Sequence, residues 1–187
     1  MDAVLVLLLI FVLILLIMAV FLVLTLGIRI RTMALYGGAP YVASTHSSIN
    51  NALALANLSA SDRFADLGCG DGQVVLAAAK RDVAEAVGFE IDPLLAREAS
   101  KKTAGYTNAK IIRTSFWEAD LTRFDVVYLF QIPYAMPRLE KKLMSELKPT
   151  ARVVSNGFKF PNWKPTASQG TISLYTRAEI PKTTDAA

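Results

Sequence analysis

Asp66, Gly68, Gly70, Gly72 and Glu90 are the residues of this chain best placed to do chemistry together. The run Phe64-Ala65-Asp66-Leu67 reads as a short apolar strand that breaks into Gly68-Cys69-Gly70-Asp71-Gly72, with glycine at alternate positions. Glycines so spaced let the backbone turn sharply and approach a ligand with no Cβ in the way, and the helix opened by Gln73 aims its N-terminus at that ligand. The next apolar run ends in Glu90, and a carboxylate at the carboxyl end of a strand can accept hydrogen bonds from both hydroxyls of a ribose. Dinucleotide folds carry G-x-G-x-x-G because their helix must hold a pyrophosphate. Here the spacing is G-x-G-x-G behind Asp66, and an acidic residue suits a cationic group better than a phosphate. The expected cofactor is S-adenosylmethionine (SAM), and no metal is expected.

The elements that must position these residues alternate between strand and helix. Strands are expected at Arg63–Leu67, Ala86–Ile91, Lys110–Thr114, Phe124–Phe130, Ala151–Ser155 and Thr171–Tyr175. Helices are expected at Gln73–Lys80, at Pro93–Lys101 and through Leu139, Leu143 and Leu147 up to Pro149. An earlier helix follows Thr45 as its cap, with an apolar stripe of Ile49, Leu53, Leu55 and Leu58 and with His46 as a polar first-turn residue. Phe124–Phe130 is almost continuously apolar, as a central strand buried on both faces should be. The fold class is α/β, a Rossmann-like SAM methyltransferase sheet with helices on both faces, its ligand lying over the carboxyl edge of the first, second and fourth strands. Six strands are clear, one short of the usual methyltransferase sheet. Either Phe158–Phe160 continues a strand or the final hairpin is abbreviated.

Ahead of this domain, Ala3 to Leu24 contains no polar residue and the apolar run reaches Ile28. At about 1.5 Å per helical residue that crosses a hydrocarbon core of about 30 Å, so one N-terminal transmembrane helix is expected. Asp2 stands where a signal peptide would carry basic residues, which argues for an uncleaved anchor. Arg29 and Arg31 follow the span, so the positive-inside rule puts the remainder on the cytoplasmic side of a bacterial membrane, or on the matrix side in an organelle. The expected division is an anchor at 1–28, a linker and approach segment at 29–45, a methyltransferase domain at 46–181 and a tail at 182–187. Of 16 acidic residues only Asp2 lies in the anchor, so the 20 basic ones leave the rest at a formal +5. No basic run is interleaved with aromatics, and nucleic acid is not an expected partner. The single cysteine, Cys69, can form no internal disulfide and reads as a packing residue in a reducing compartment.

Several segments in order carry a resemblance. Tyr41-Val42-Ala43-Ser44-Thr45, Asp66 to Gly72, Gly88-Phe89-Glu90, Phe116 to Leu121, Leu139-Glu140-Lys141-Lys142-Leu143 and Arg152-Val153-Val154-Ser155 with Phe158 to Trp163 resemble small seven-strand protein-lysine methyltransferases. That family includes an archaeal enzyme of broad specificity and mitochondrial enzymes acting on the ATP synthase c-subunit or the adenine nucleotide translocase. The resemblance implies SAM as cofactor and a membrane-associated protein lysine as substrate. It also implies cofactor contacts from Tyr41 and Ser44, although Ala43 and Thr45 replace the family's prolines. Many SAM enzymes hold the adenine amino group with an acidic or amide residue after the third strand. This chain has Thr114 and Ser115 there, which leaves backbone near Ser115 and the ring of Phe116 for the adenine.

Methyl transfer to an amine needs the nitrogen, methyl carbon and sulfur in line, and alignment alone can contribute about 7–11 kcal/mol. Gln131-Ile132-Pro133-Tyr134, at the end of the fourth strand, is similar to the Asn/Asp-Pro-Pro-Tyr segment of some amine methyltransferases. Gln131, Pro133 and Tyr134 are therefore the candidates for holding the amine, against a plain strand-end turn. Glu118 and Asp120 read as a solvated face, while Asn156, Phe158 and Trp163 either line the substrate channel or cover the sheet. Three functions compete: a membrane-anchored protein-lysine methyltransferase, a SAM enzyme acting on a lipid or small amphiphile, and a noncatalytic SAM-binding protein.

Overall fold

The computed structural model describes residues 2–36, 42 and 44–177. They fall into two compact units, one within residues 1–40 and one within 41–187. The first is a single helix, α1 (Ala3–Tyr36), whose apolar part Ala3–Gly27 has none of its most apolar window buried. Helix geometry runs on past Ile28 into the stretch read as linker, where Arg, Met, Ala and Leu are all good helix formers. Tyr41, Ala43 and the tail at 182–187 lie outside the described residues.

The second unit is built on one sheet. Its strands are β1 (Arg63–Leu67), β2 (Glu85–Glu90), β3 (Ala109–Arg113), β4 (Val126–Leu129), β5 (Arg152–Asn156), β6 (Ala167–Gln169) and β7 (Ile172–Thr176). The order across the sheet is β3-β2-β1-β4-β5-β7-β6, with β1 to β5 parallel and β7 antiparallel to both of its neighbours. The seventh strand is thus the three-residue β6, and Phe158–Phe160 forms no strand. Gly157, at φ +102°, and a 2.6 Å bond from Ser155 Oγ to the Phe158 carbonyl turn the chain off β5.

Side chains alternate along each strand, so Phe64 and Asp66 project from one face of β1 while Ala65 and Leu67 project from the other. On the first face pack α2 (His46–Leu55), α3 (Gln73–Ala79) and α4 (Pro93–Thr103), through Ile49, Leu53, Val75 and Ala99. On the second packs α5 (Met136–Glu146) through Met136, Leu139 and Leu143. Leu58 lies beyond the end of α2 yet packs against the same core as its stripe. The exposed carbonyls at that helix end are taken by Arg152, whose guanidinium donates to Ala56 O (2.6 Å), Asn57 O (2.7 Å) and Asp62 (2.6 Å). Strand order reverses between β1 and β4, and in open parallel sheets ligands bind outside the carboxyl ends of the strands at such a reversal.

Candidate cofactor and active site

The β1–α3 loop sits at that reversal. Gly68, Gly70 and Gly72 have φ of +84°, +53° and +81°, a region costly for any residue with a Cβ. Crowding adds to the requirement at two of them. A Cβ on Gly68 would lie 2.7 Å from Gln131 Nε2, and one on Gly72 would lie 2.8 Å from Ala99 Cβ and 3.0 Å from Ala99 Cα. Asp71, between them, pairs with Lys102 and accepts from Gln73 Nε2 at 2.9 Å, which ties the loop to α4 and to the start of α3.

Glu90, at the end of β2, is buried and accepts from the Gly70 N–H (2.8 Å) and the Asp92 N–H (2.8 Å), one bond to each oxygen. Each carboxylate oxygen keeps a further lone pair, so the group can brace the loop and still accept from a vicinal diol. Asp66 is more telling. It is 2% exposed, and its Oδ2 has no hydrogen-bond partner. Burial, followed by the negative fields of Glu90 and Asp71, holds its carboxyl well above the usual carboxylate range. A buried carboxylate left in this state is costly, and a cation placed against it would relieve the cost. The loop, the diol-competent Glu90 and the unpartnered Asp66 fit a nucleoside with a cationic end.

Just past the carboxyl end of β4, Gln131 is buried, and its Nε2 donates to Leu67 O at 2.8 Å. That bond orients the amide and leaves Oε1 buried and without a partner. Pro133 and Tyr134 lie in a 3-10 turn (Pro133–Ala135), with Tyr134 67% exposed. Phe116 is buried beside the Gly68 turn and stacks obliquely on Trp117, centroid to centroid 4.7 Å. Ser115 Oγ accepts from Trp117 N (3.4 Å), its carbonyl accepts from Glu118 N (3.0 Å), and the Thr114 hydroxyl is spent on Glu118 (3.2 Å). The structure therefore brings Asp66, the three glycines, Glu90, Phe116 and Gln131 to one sheet edge.

Ser44, just ahead of α2, shares a hydrogen bond of 3.3 Å with the hydroxyl of Tyr128, a residue that no motif singles out. Tyr128 is buried on β4, and Asn156 Nδ2 donates to the same oxygen at 3.1 Å. A tyrosine in an otherwise apolar central strand must find a partner for its hydroxyl, but the run itself does not say which. Thr45 caps α2, accepting from Ser48 N at 3.2 Å, and His46 is an exposed first-turn residue. Trp163 is buried against Phe160 and Tyr175, so it covers the sheet, while Phe158 is partly exposed. Glu118 and Asp120 are exposed, and hydrogen bonds from the backbone and side chain of Thr122 lower the Asp120 carboxyl. Burial pushes the Cys69 thiol up, as befits a packing residue. Among the described residues no cluster of acidic, histidine or cysteine side chains could hold a metal.

A seven-strand sheet of this order, with a glycine loop and an acidic residue at the first two strand ends, defines the class of SAM-dependent methyltransferases. Residues 66–167 match the ANTKMT methyltransferase domain, and the chain belongs to that family. It is 38% identical over 130 residues to a protein-lysine N-methyltransferase of Saccharolobus islandicus (strain REY15A), covering 67% of this chain and 81% of that one. It is 36% identical over 129 residues to the ATP synthase c-subunit lysine N-methyltransferase of Xenopus laevis, covering 67% of this chain. Of that relative the match spans 56%, little more than half its length. Among solved structures, an RNA methyltransferase from Salinibacter ruber in complex with S-adenosyl-L-homocysteine superposes with a TM-score of 0.72 at 33% identity, over 78% of this chain and 100% of that one. The cofactor of the family is SAM.

Proposed function

We propose that this chain is a membrane-anchored SAM-dependent protein-lysine N-methyltransferase, acting on a membrane-associated protein from the cytoplasmic side. The observation that carries the reading is the buried, unpartnered Oδ2 of Asp66 beside a glycine cradle, in a chain similar over two thirds of its length to lysine N-methyltransferases. Residues 1–28 act as the anchor, 29–45 as linker and approach segment, 46–181 as the catalytic domain and 182–187 as a tail.

When bound, SAM supplies a methyl group made electrophilic by its sulfonium. Asp66 holds the cationic methionine end, Glu90 accepts from the ribose hydroxyls, and Gly68, Gly70 and Gly72 admit the cofactor to contact with the backbone. Phe116 and the backbone at Ser115 would receive the adenine, and Tyr41 and Ser44 would add cofactor contacts, as the resemblance implies. The substrate amine is held at Gln131, Pro133 and Tyr134. Leu67 O takes one of the two Gln131 amide N–H groups and fixes the amide, and the unpartnered acceptor Oε1 suits an amine N–H. A lysine ammonium, with a reference pKa of about 10.4, loses its proton more readily once desolvated. The ring of Tyr134, exposed in the unliganded chain, would exclude water as the lysine enters. Tethering by α1 would raise the effective concentration of membrane proteins at this site.

The Salinibacter ruber protein, by its name, supports a second reading in which the acceptor is RNA. Both are tested by incubating the full chain with methyl-labelled SAM and membranes and ribosomal extract from its own source, then counting protein, lipid and RNA separately. Label on lysine in a protein band, lost with Glu90→Ala, is the expected result. Label confined to RNA or lipid would overturn the lysine assignment.

A further inference from the structure

Tyr128 does work that the fold alone does not ask of it. β4 lies between β1 and β5 in the middle of the sheet, and a phenylalanine would fill the same ring space there without a hydroxyl to satisfy. The hydroxyl reaches Ser44, a residue 84 positions earlier in the chain, in the segment just ahead of α2. In the parallel register Asp66 stands directly opposite Tyr128, so the two side chains leave the same face of adjacent strands at the same level. Tyr128 therefore adjoins the unpartnered carboxylate and also bonds to Ser44, just ahead of α2.

Thr171 Oγ1 donates to Asn156 Oδ1 at 3.4 Å, which turns the Asn156 amide so that its Nδ2 donates to the Tyr128 oxygen at 3.1 Å. Asn156 occupies one lone pair of that oxygen, so the phenol proton can be given to Ser44 Oγ, 3.3 Å away. A Ser44 oxygen that accepts from Tyr128 keeps its own proton to donate outward. Chains of this kind polarise each successive donor. The methionine end of the cofactor carries a cationic ammonium and an anionic carboxylate. Asp66 can serve only the first, and a hydroxyl fixed as a donor serves the second.

We infer that Tyr128 is a positioning residue that, through the Asn156–Tyr128–Ser44 relay, fixes Ser44 as a hydrogen-bond donor to the carboxylate of the cofactor's amino-acid end. The inference rests on the cofactor reading above. It is tested by calorimetric titration of the full chain with S-adenosylhomocysteine and with its decarboxylated form. Tyr128→Phe should weaken S-adenosylhomocysteine binding about tenfold, the loss of one oriented hydrogen bond, and leave the decarboxylated ligand unaffected. Ser44→Ala, which leaves the core intact, should do the same, and the double variant should lose no more than either single one. Equal weakening of both ligands, or unchanged binding of S-adenosylhomocysteine in the two single variants, would overturn the role of the relay while the cofactor site stood. Failure of the parent chain to bind either ligand would overturn the cofactor reading, and the relay with it.

Discussion

A carboxylate buried like Asp66, with one oxygen unpartnered, is a cost to the unliganded domain, which the proposed function explains by a cationic ligand. Burial and the neighbouring carboxylates raise the Asp66 pKa in the folded chain, so its contribution to stability is fully present below its unfolded value of about 3.9 and is lost as pH rises through the raised value. The isosteric Asp66→Asn variant removes this titration, and its melting-temperature advantage over the parent should widen as pH climbs toward neutrality in parallel thermal melts. Binding of a cationic cofactor favours the ionised form, so the affinity of the parent should rise with pH across the same window and then level off. At Gly72 the strain is steric. Gly72→Ala combines φ +81° with contact against the Ala99 backbone and should cost about 1–3 kcal/mol in chemical denaturation. Asp66, the glycines and Glu90 were legible in the sequence because their spacing is itself a backbone requirement. Tyr128 was not, since nothing in an apolar run reveals which strand ends and loops will surround its hydroxyl.

Among the elements, the link between α2 and β5 carries weight beyond its size. Arg152 closes the carbonyl end of α2 and pairs with the buried Asp62, so Arg152→Ala would strand three acceptors at once. A loss of about 2–3 kcal/mol is expected by urea denaturation, with weakened cofactor binding as the start of α2 and Ser44 loosen. The parallel strands, α3 and α4 could be read from periodicity to within two residues, because each buries a stripe or a whole face, whereas the ends of α1, α2 and α5 fell three or more residues away. The last hairpin could not. β6 has three residues with little burial, and its pairing depends on the turn at Gly170 and on β7, not on any pattern of its own. Phe158–Phe160 looks like a strand by composition, yet the Ser155 bond and the turn at Gly157 claim its backbone first.

For the molecule as a whole, the division into two compact units makes a separable prediction. Deletion of residues 1–40 removes the first unit whole, and the truncated chain should remain folded and bind S-adenosylhomocysteine with unchanged affinity while leaving the membrane fraction. Aggregation of the truncated chain, measured by light scattering, would show that the apolar helix completes the domain core. The central claim is that the strand-end crevice around Asp66 is built at a cost to stability in order to hold a cationic nucleoside cofactor. It is tested most directly by titrating the parent chain and Asp66→Asn with SAM in a calorimeter and melting both without ligand. The account predicts saturable binding by the parent, no measurable binding by Asp66→Asn, and a higher melting temperature for that variant at neutral pH. Equal binding by the two, or a variant that melts lower than the parent, would contradict it.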